Sequence, residues 1–406
     1  MWSRRQLLRT GALGLATLPW VRRARADGPT ERKFLFVLCA GGWDTTYVFS
    51  PMYGNPAIDG DPDSTLAEVG GITFADAAAR PSVRAFFEAH GARTCVINGV
   101  QVRSLAHSVC LRDILTGTMQ QADDWPSILA AGGPSDLLLP MVHLSGPSYT
   151  DAFGGQVVRV GGAGQLPSLL AREDVTIEAL EDAYALTRAK AAAARAGAGR
   201  ASALAVQAVE AEGRLARLQD LGAEVVLDAG ETLAARAATL AELFERGLAR
   251  CGIVQHDGSR DIGWDTHGGN NSQSAHFEDL FGGLSTILAD LAARAGTGDG
   301  VSLADQTTVV VLSEMNRYPQ LNGRNGKDHW PHTSAMLVGA GVRGGQVIGE
   351  YDADFSGRPV DLVSGGAADS GTRLGSGHLG ATLLQLGGVD PAMHIGDATA
   401  IEAAIL

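Results

Sequence analysis

Short apolar runs recur along the chain, and helical stretches separate them. Phe34-Leu35-Phe36-Val37-Leu38 is apolar at every position and leads to Gly41-Gly42. A run with no polar face and a glycine stop predicts a strand covered on both sides, as in a parallel sheet. Thr94-Cys95-Val96-Ile97-Asn98, Pro140-Met141-Val142-His143-Leu144, Gly252-Ile253-Val254-Gln255, Thr307-Thr308-Val309-Val310-Val311-Leu312 and Ser334-Ala335-Met336-Leu337-Val338 repeat the pattern. Strands alternating with helices predict an α/β protein, a three-layer α/β/α sandwich with a mostly parallel sheet. Ligands of such sheets bind beyond the carboxyl ends of the strands. The stretch 173–250 differs. It is rich in alanine, carries charges at helical intervals and is broken at Gly197, Gly199 and Gly222. It predicts a helical insertion of two or three helices, either a structural insert or a lid.

The first 26 residues stand apart from this pattern. Ser3-Arg4-Arg5-Gln6-Leu7-Leu8-Arg9 is a twin-arginine motif, a modest apolar run from Gly11 to Trp20 follows, and Ala24-Arg25-Ala26 supplies small residues for cleavage. That order predicts a signal peptide at 1–26, export by the twin-arginine translocase, and a periplasmic or extracellular protein of residues 27–406. The alternative is a disordered basic tail. The apolar run is too short for a stable membrane anchor. Removing the segment's six arginines takes the net charge from −13 to −19. No basic cluster remains to bind nucleic acid. An acidic body also repels anionic substrates, so action on phosphate or sulfate esters requires bound metal to reverse the field locally. The four cysteines show no Cys-x-x-Cys pair, which points away from a thiolate zinc site.

The polar signals fall where the strands end. Asp44 follows Gly41-Gly42-Trp43 at the end of the first run, as a metal ligand or a helix cap. In Trp264-Asp265-Thr266-His267-Gly268-Gly269-Asn270, an extended backbone would turn Asp265 and His267 to one side as a metal pair. A turn with polar side chains bonded to the backbone is the alternative. Glu314 ends the strongest strand, where an unpaired carboxylate is costly, so metal or Arg317 must compensate it. Asp328, His329 and His332 crowd the loop from Gly326, an unusual density of ligating groups for mere surface. His107-Ser108-Val109-Cys110 opens a predicted helix ending at Thr116-Gly117, and a nucleophile there would be activated by the helix N-terminus. Ser104 or Ser108 as a plain helix cap is the other reading. His90, His143, His256, His276, His378 and His394 are isolated and read as structural or exposed.

Four of these motifs, taken in order, resemble the domain-of-unknown-function family 1501. They are Gly41-Gly42-Trp43-Asp44-Thr45, Trp264-Asp265-Thr266-His267, Ser313-Glu314 and Lys327-Asp328-His329-Trp330. Gly339-Ala340-Gly341-Val342-Arg343-Gly344-Gly345 also fits, so the resemblance runs from about Lys33 to the C-terminus. That family is grouped with alkaline phosphatases and sulfatases, and its members commonly carry twin-arginine signals. The resemblance implies an alkaline phosphatase-like fold. It also implies that Asp44 stands for the first-strand aspartate, Glu314 for the carboxylate after the long strand, Asp265 and His267 for an Asp/His pair, and His329 or His332 for the last histidine. The sequence departs from the superfamily at Glu314-Met315, where Asp-His is common, and in the close Asp-x-His spacing. Counting back from Thr116-Gly117, His107 stands where sulfatases place their modified cysteine or serine, and no proline follows.

The expectation is therefore an exported metal-dependent hydrolase of phosphate- or sulfate-type esters, on small-molecule or polymer substrates. One or two divalent ions (Zn, Ca, Mg or Mn) would be held by Asp44, Asp265, His267, Glu314, Asp328, His329 and His332. His107 would be an acid/base or ligand, Ser108 a nucleophile and Arg317 an anion contact. A non-catalytic, metal-stabilised envelope or surface protein binding a glycan or protein partner is the alternative. An α/β protein whose polar loops are held by hydrogen bonds alone is the third.

Overall fold

The computed structural model describes residues 31–160, 177–195, 230–259 and 263–406, with scattered positions between 206 and 217. The expected leader at 1–26 and much of the alanine-rich stretch lie outside the described residues. In chain order the elements are β1 (Lys33–Leu38), β2 (Ser64–Val69), β3 (Ile72–Ala77), α1 (Pro81–His90), β4 (Thr94–Gln101), α2 (His107–Thr116), α3 (Trp125–Ala131), β5 (Met141–His143), β6 (Val157–Arg159), α4 (Ile177–Arg195), α5 (Leu233–Glu245), β7 (Cys251–Gln255), α6 (Ser272–Ala293), β8 (Thr307–Leu312), β9 (Asn316–Arg317), β10 (His329–Trp330), β11 (His332–Gly339), β12 (Gln346–Ile348) and α7 (Ser376–Leu386).

Among the described residues eight strands form one sheet in the order β12-β4-β11-β8-β1-β7-β5-β6. All neighbours pair parallel except at β11, which is antiparallel to both β4 and β8. That exception matters for the site. A strand running backwards enters the sheet at the edge where the others leave it. Residues just before β11 therefore share an edge with residues just after β1, β4, β7 and β8.

The apolar runs of the sequence become the central strands because both faces are covered. In β1, Leu35 and Val37 join one core cluster while Phe34, Phe36 and Leu38 join another. This is the period-two alternation of a strand between two helical layers. α1, α5 and α6 build the first layer through Phe86, Leu240 and Phe281. α2, α3 and α7 build the second through Ile114, Trp125 and Leu383. The three-layer α/β sandwich is thus the observed fold. Within the alanine-rich stretch, α5 buries Leu240, Leu243 and Phe244 in the first layer. The hairpin β2–β3, the short edge strands β6 and β12 and the β9–β10 pair were not foreseen. Each is short or half exposed and gives little periodic signal. Cys39, Cys95, Cys110 and Cys251 are all buried free thiols. No helix of the described residues is long and apolar enough to cross a membrane.

An aromatic cluster joins α1, α6 and the loop after β1. Phe281 of α6 meets Phe86 at 5.1 Å, Phe87 at 5.4 Å and Phe49 at 6.2 Å between ring centroids. Phe281→Ala is expected to cost about 3–5 kcal/mol through lost transfer energy and the cavity left behind, measured as a lowered urea midpoint with unchanged slope.

Candidate metal centre

The β1 strand ends at a backbone turn that sets the floor of the site. Gly41 has φ +125°, and a Cβ there would lie 2.8 Å from the Asp265 nitrogen. Only glycine allows this approach. The Gly41 N–H donates to both Glu314 carboxylate oxygens, at 2.9 and 3.1 Å. Glu314 is fully buried just beyond β8, and the Ser313 hydroxyl also donates to it, at 3.2 Å. Gly326 makes the second close approach, since a Cβ there would lie 2.1 Å from the His267 carbonyl carbon. The loop before β10 thereby lies on the segment 264–270, tied by Lys327 N to Thr266 O at 3.0 Å and Asn270 N to Asn325 O at 2.7 Å.

Three imidazoles and one carboxylate converge at this edge. His107 opens α2, Asp265 and His267 lie after β7, and His329 starts β10. One ligand atom from each lies within 4.8 Å of all the others. Asp265 and His267 meet through tight turns, with Thr266 N bonded to Trp264 O and His267 N to Asp265 O, so the backbone is turned rather than extended here while the two side chains still share one site. Asp265 Oδ1 stands 3.4 Å from His267 Nε2 and 3.8 Å from His329 Nε2, and Asp265 Oδ2 stands 3.5 Å from His107 Nε2.

The outward nitrogens decide the chemistry. His107 Nδ1 lies 2.7 Å from Glu314 Oε1, His329 Nδ1 lies 2.6 Å from the Leu105 carbonyl, and His267 Nδ1 lies 3.2 Å from Asp328 Oδ1. Each Nδ1 faces an oxygen acceptor, so each carries a hydrogen, and each ring turns its Nε2 to the shared space. His267 Nε2 and His329 Nε2 are 2.8 Å apart. Two lone pairs at that distance repel unless a proton or a cation sits with them. His107 Nε2 is buried and has no hydrogen-bond partner. Imidazoles oriented from outside by carboxylate or carbonyl, with the inner nitrogen open, are the arrangement of metal-ligating histidines. These residues fit a divalent ion.

Charge around the cluster is consistent with this. The carboxylates of Asp265 and Glu314 raise the His107 pKa to about 9. His107 first and Arg317 second hold the Asp265 carboxyl well below the usual range. Burial lowers the His329 pKa and favours its neutral form. Arg317 is fully buried. It donates to Asp265 Oδ1 at 2.7 Å, to Gly42 O at 2.8 Å, to Lys327 O at 3.2 Å and to Gly41 O. Its guanidinium props Asp265, and the anticipated Glu314–Arg317 pairing is replaced by Glu314–His107 and Asp265–Arg317.

The structure places the remaining expected residues elsewhere. Asp44 is fully buried in its own network, where Oδ1 accepts from Thr46 N at 3.0 Å and Thr46 Oγ1 at 2.6 Å. Its Oδ2 accepts from Asn270 Nδ2 at 2.8 Å and lies 2.7 Å from the Lys327 ammonium. Gln273 reinforces this knot by accepting from Asp44 N at 3.0 Å. Asp44 caps the turn at Thr45–Tyr47. His332 is buried on the far side, where Nδ1 accepts from Gly357 N at 3.2 Å. Asp328 is exposed behind His267, and Ser108 is exposed on the first turn of α2. Lys327 and Asn270 stand in the sequence only as motif positions without a role, and Gln273 gives no signal there. Their adjacency to Asp44 exists only in the fold.

The arrangement defines a class: a three-layer α/β protein with an open imidazole–carboxylate centre at the carboxyl edge of its sheet. The chain belongs to the family described as protein of unknown function DUF1501, whose model matches residues 165–394, more than half its length. No curated protein matches it. Among solved structures it is similar to the lipoteichoic acid synthase LtaP from Listeria monocytogenes (10% identity, 93% of this chain and 77% of that chain, TM-score 0.41). It is similar also to the C-terminal periplasmic domain of EcEptC from Escherichia coli (11% identity, 93% and 88%, TM-score 0.41) and to a 2-O GAG sulfatase (8% identity, 88% and 71%, TM-score 0.38).

Two outcomes are expected. Asp44→Ala leaves the Lys327 ammonium buried without its counter-charge and should cost roughly 3–5 kcal/mol in urea unfolding. The second concerns pH. A histidine whose pKa is raised on folding adds stability below its unfolded value of about 6.5 and loses it as pH rises through about 9. The metal-free protein should therefore lose stability between those pH values, and His107→Gln should flatten that slope. Metal must displace the same proton, so its affinity should rise across this window and level off above it, as titration at several pH values would measure.

Proposed function

We propose that the protein is an exported, metal-dependent hydrolase of phosphate- or sulfate-type esters. One observation carries the reading: three inward Nε2 atoms and the Asp265 carboxylate meet at the open edge of the sheet. A bound divalent ion there supplies Lewis-acid polarisation of an ester oxygen and a water of lowered pKa. The rest is done by the chain. Glu314, Leu105 O and Asp328 hold the three rings in one tautomer, and Arg317 holds Asp265 in place. The site is open to substrate, since Asp265 keeps 46% and His267 33% of its side-chain surface. With a chain charge of −13, the ion is also the positive charge that draws in an anionic ester.

Ser108 is exposed, and among the described residues its hydroxyl has no base set against it, so attack by water is the reading taken here. His107 acts as a ligand rather than a free acid or base, because Glu314 engages its outer nitrogen. Arg317 is spent on Asp265 and on backbone carbonyls, so it positions a ligand and makes no substrate contact. Residues 1–26 act as the twin-arginine leader, and the body works in the periplasm or outside the cell.

Metal-loaded protein assayed on nitrophenyl phosphate, its diester and nitrophenyl sulfate should turn over at least one of them. Asp265→Asn should lower that rate by more than about 100-fold, the scale on which metal-site residues act. No turnover on any of the three at full metal occupancy would sink the proposal.

A further inference from the structure

We infer that the centre takes one ion per chain, of the borderline transition-metal class to which zinc and cobalt belong, and discriminates against calcium and magnesium. The inference deepens the reading above and rests on its metal centre. Four donors are offered, three imidazole nitrogens and one carboxylate oxygen. Calcium takes about 6–8 oxygen ligands and magnesium an octahedron of oxygens, whereas imidazole suits zinc and its neighbours.

Ligand spacing around Asp265 is of the same scale. Bonds of about 2.0–2.2 Å around a tetrahedral ion put ligand atoms roughly 3.3–3.6 Å apart. The separations from Asp265 to His107, His267 and His329 are 3.5, 3.4 and 3.8 Å, while His267 Nε2 and His329 Nε2, 2.8 Å apart, would have to part to admit an ion between them. His107 Nε2 is buried, faces the same space and has no hydrogen-bond partner.

The count of one follows from what the other acids do. Glu314 is held by Gly41 N, the Ser313 hydroxyl and His107 Nδ1. Asp44 is held by Thr46, Asn270 and the Lys327 ammonium. Asp328 is bonded to Asn322 Nδ2 and His267 Nδ1, each at 3.2 Å. His332 faces Gly357. A second cation would have to take its oxygens from bonds already made, and at Asp44 a lysine ammonium already stands beside the carboxylate.

The test uses the full chain, stripped with chelator and titrated with Co2+, Zn2+, Ca2+ and Mg2+, with metal per chain read by elemental analysis. One cobalt per chain is expected, with the visible absorption of a four- or five-coordinate nitrogen–oxygen site. Zinc should displace it, and an about 100-fold excess of calcium or magnesium should not. Asp328→Ala should weaken zinc binding by about 10–100-fold without changing the count. Asp265→Asn should remove the cobalt spectrum while circular dichroism shows the fold retained. Two ions per chain, displacement by calcium, or a spectrum untouched by Asp265→Asn overturns the inference. No binding at all overturns both this and the hydrolase reading. One zinc bound as described with no ester turnover overturns the hydrolase reading alone.

Discussion

A hydrogen bond at Nδ1 of each of three histidines is the constraint on which this protein's chemistry depends. An imidazole has two nitrogens, and the one that donates outward fixes the other as a lone pair. Glu314, the Leu105 carbonyl and Asp328 make that choice for His107, His329 and His267. The three acceptors differ in rigidity. Glu314 is buried and itself held by Gly41, Leu105 O belongs to the backbone, and Asp328 is exposed. The His267 arm is therefore the one least restrained from behind. Held this way, the rings turn their inner nitrogens into one shared space with the Asp265 carboxylate, an arrangement suited to a cation.

The sheet delivers these groups to one place. β1, β7 and β8 run together and release Gly41, Asp265 and Glu314 at one edge. The reversal of β11 brings His329 to the same edge from the opposite chain direction. Residues 107 and 329 are thus neighbours, with ring centroids 4.3 Å apart. Below them Asp44 and Lys327 form a buried ion pair between the loop after β1 and the loop before β10. A buried pair adds little net stability, but removing one member is costly, so it ties the two loops in one relative position. The site's precision rests on this knot and on Arg317, which joins Asp265 to the carbonyls of Gly41 and Gly42. Such support is what holds a ligating constellation near its working geometry.

The elements differed in how legible they were. Every continuous apolar run became a strand of the main sheet, because a segment with no polar face must be covered on both sides. The helix expected from His107 to Thr116-Gly117 is observed, closed by Gly117 at φ +70°. Short edge strands and the β2–β3 hairpin escaped notice, since half-exposed segments alternate weakly. At the site, the density of Asp and His residues after the strands marked loops whose side chains meet in the candidate centre. It did not say which acids join that cluster. Asp44 and Glu314 stand at strand ends alike, yet one faces a lysine and the other a histidine.

What the sequence by itself determined is the layered α/β frame and the edge at which polar chemistry collects, because burial periodicity and strand ends are local properties of the chain. Tertiary structure alone decided the partners: His107 with Glu314, Asp265 with Arg317, Asp44 with Lys327. A carboxylate's role depends on which charge lies within a few ångströms, and those neighbours are separated here by 52 to 283 residues of chain. Only the folding of the sheet brings them within reach.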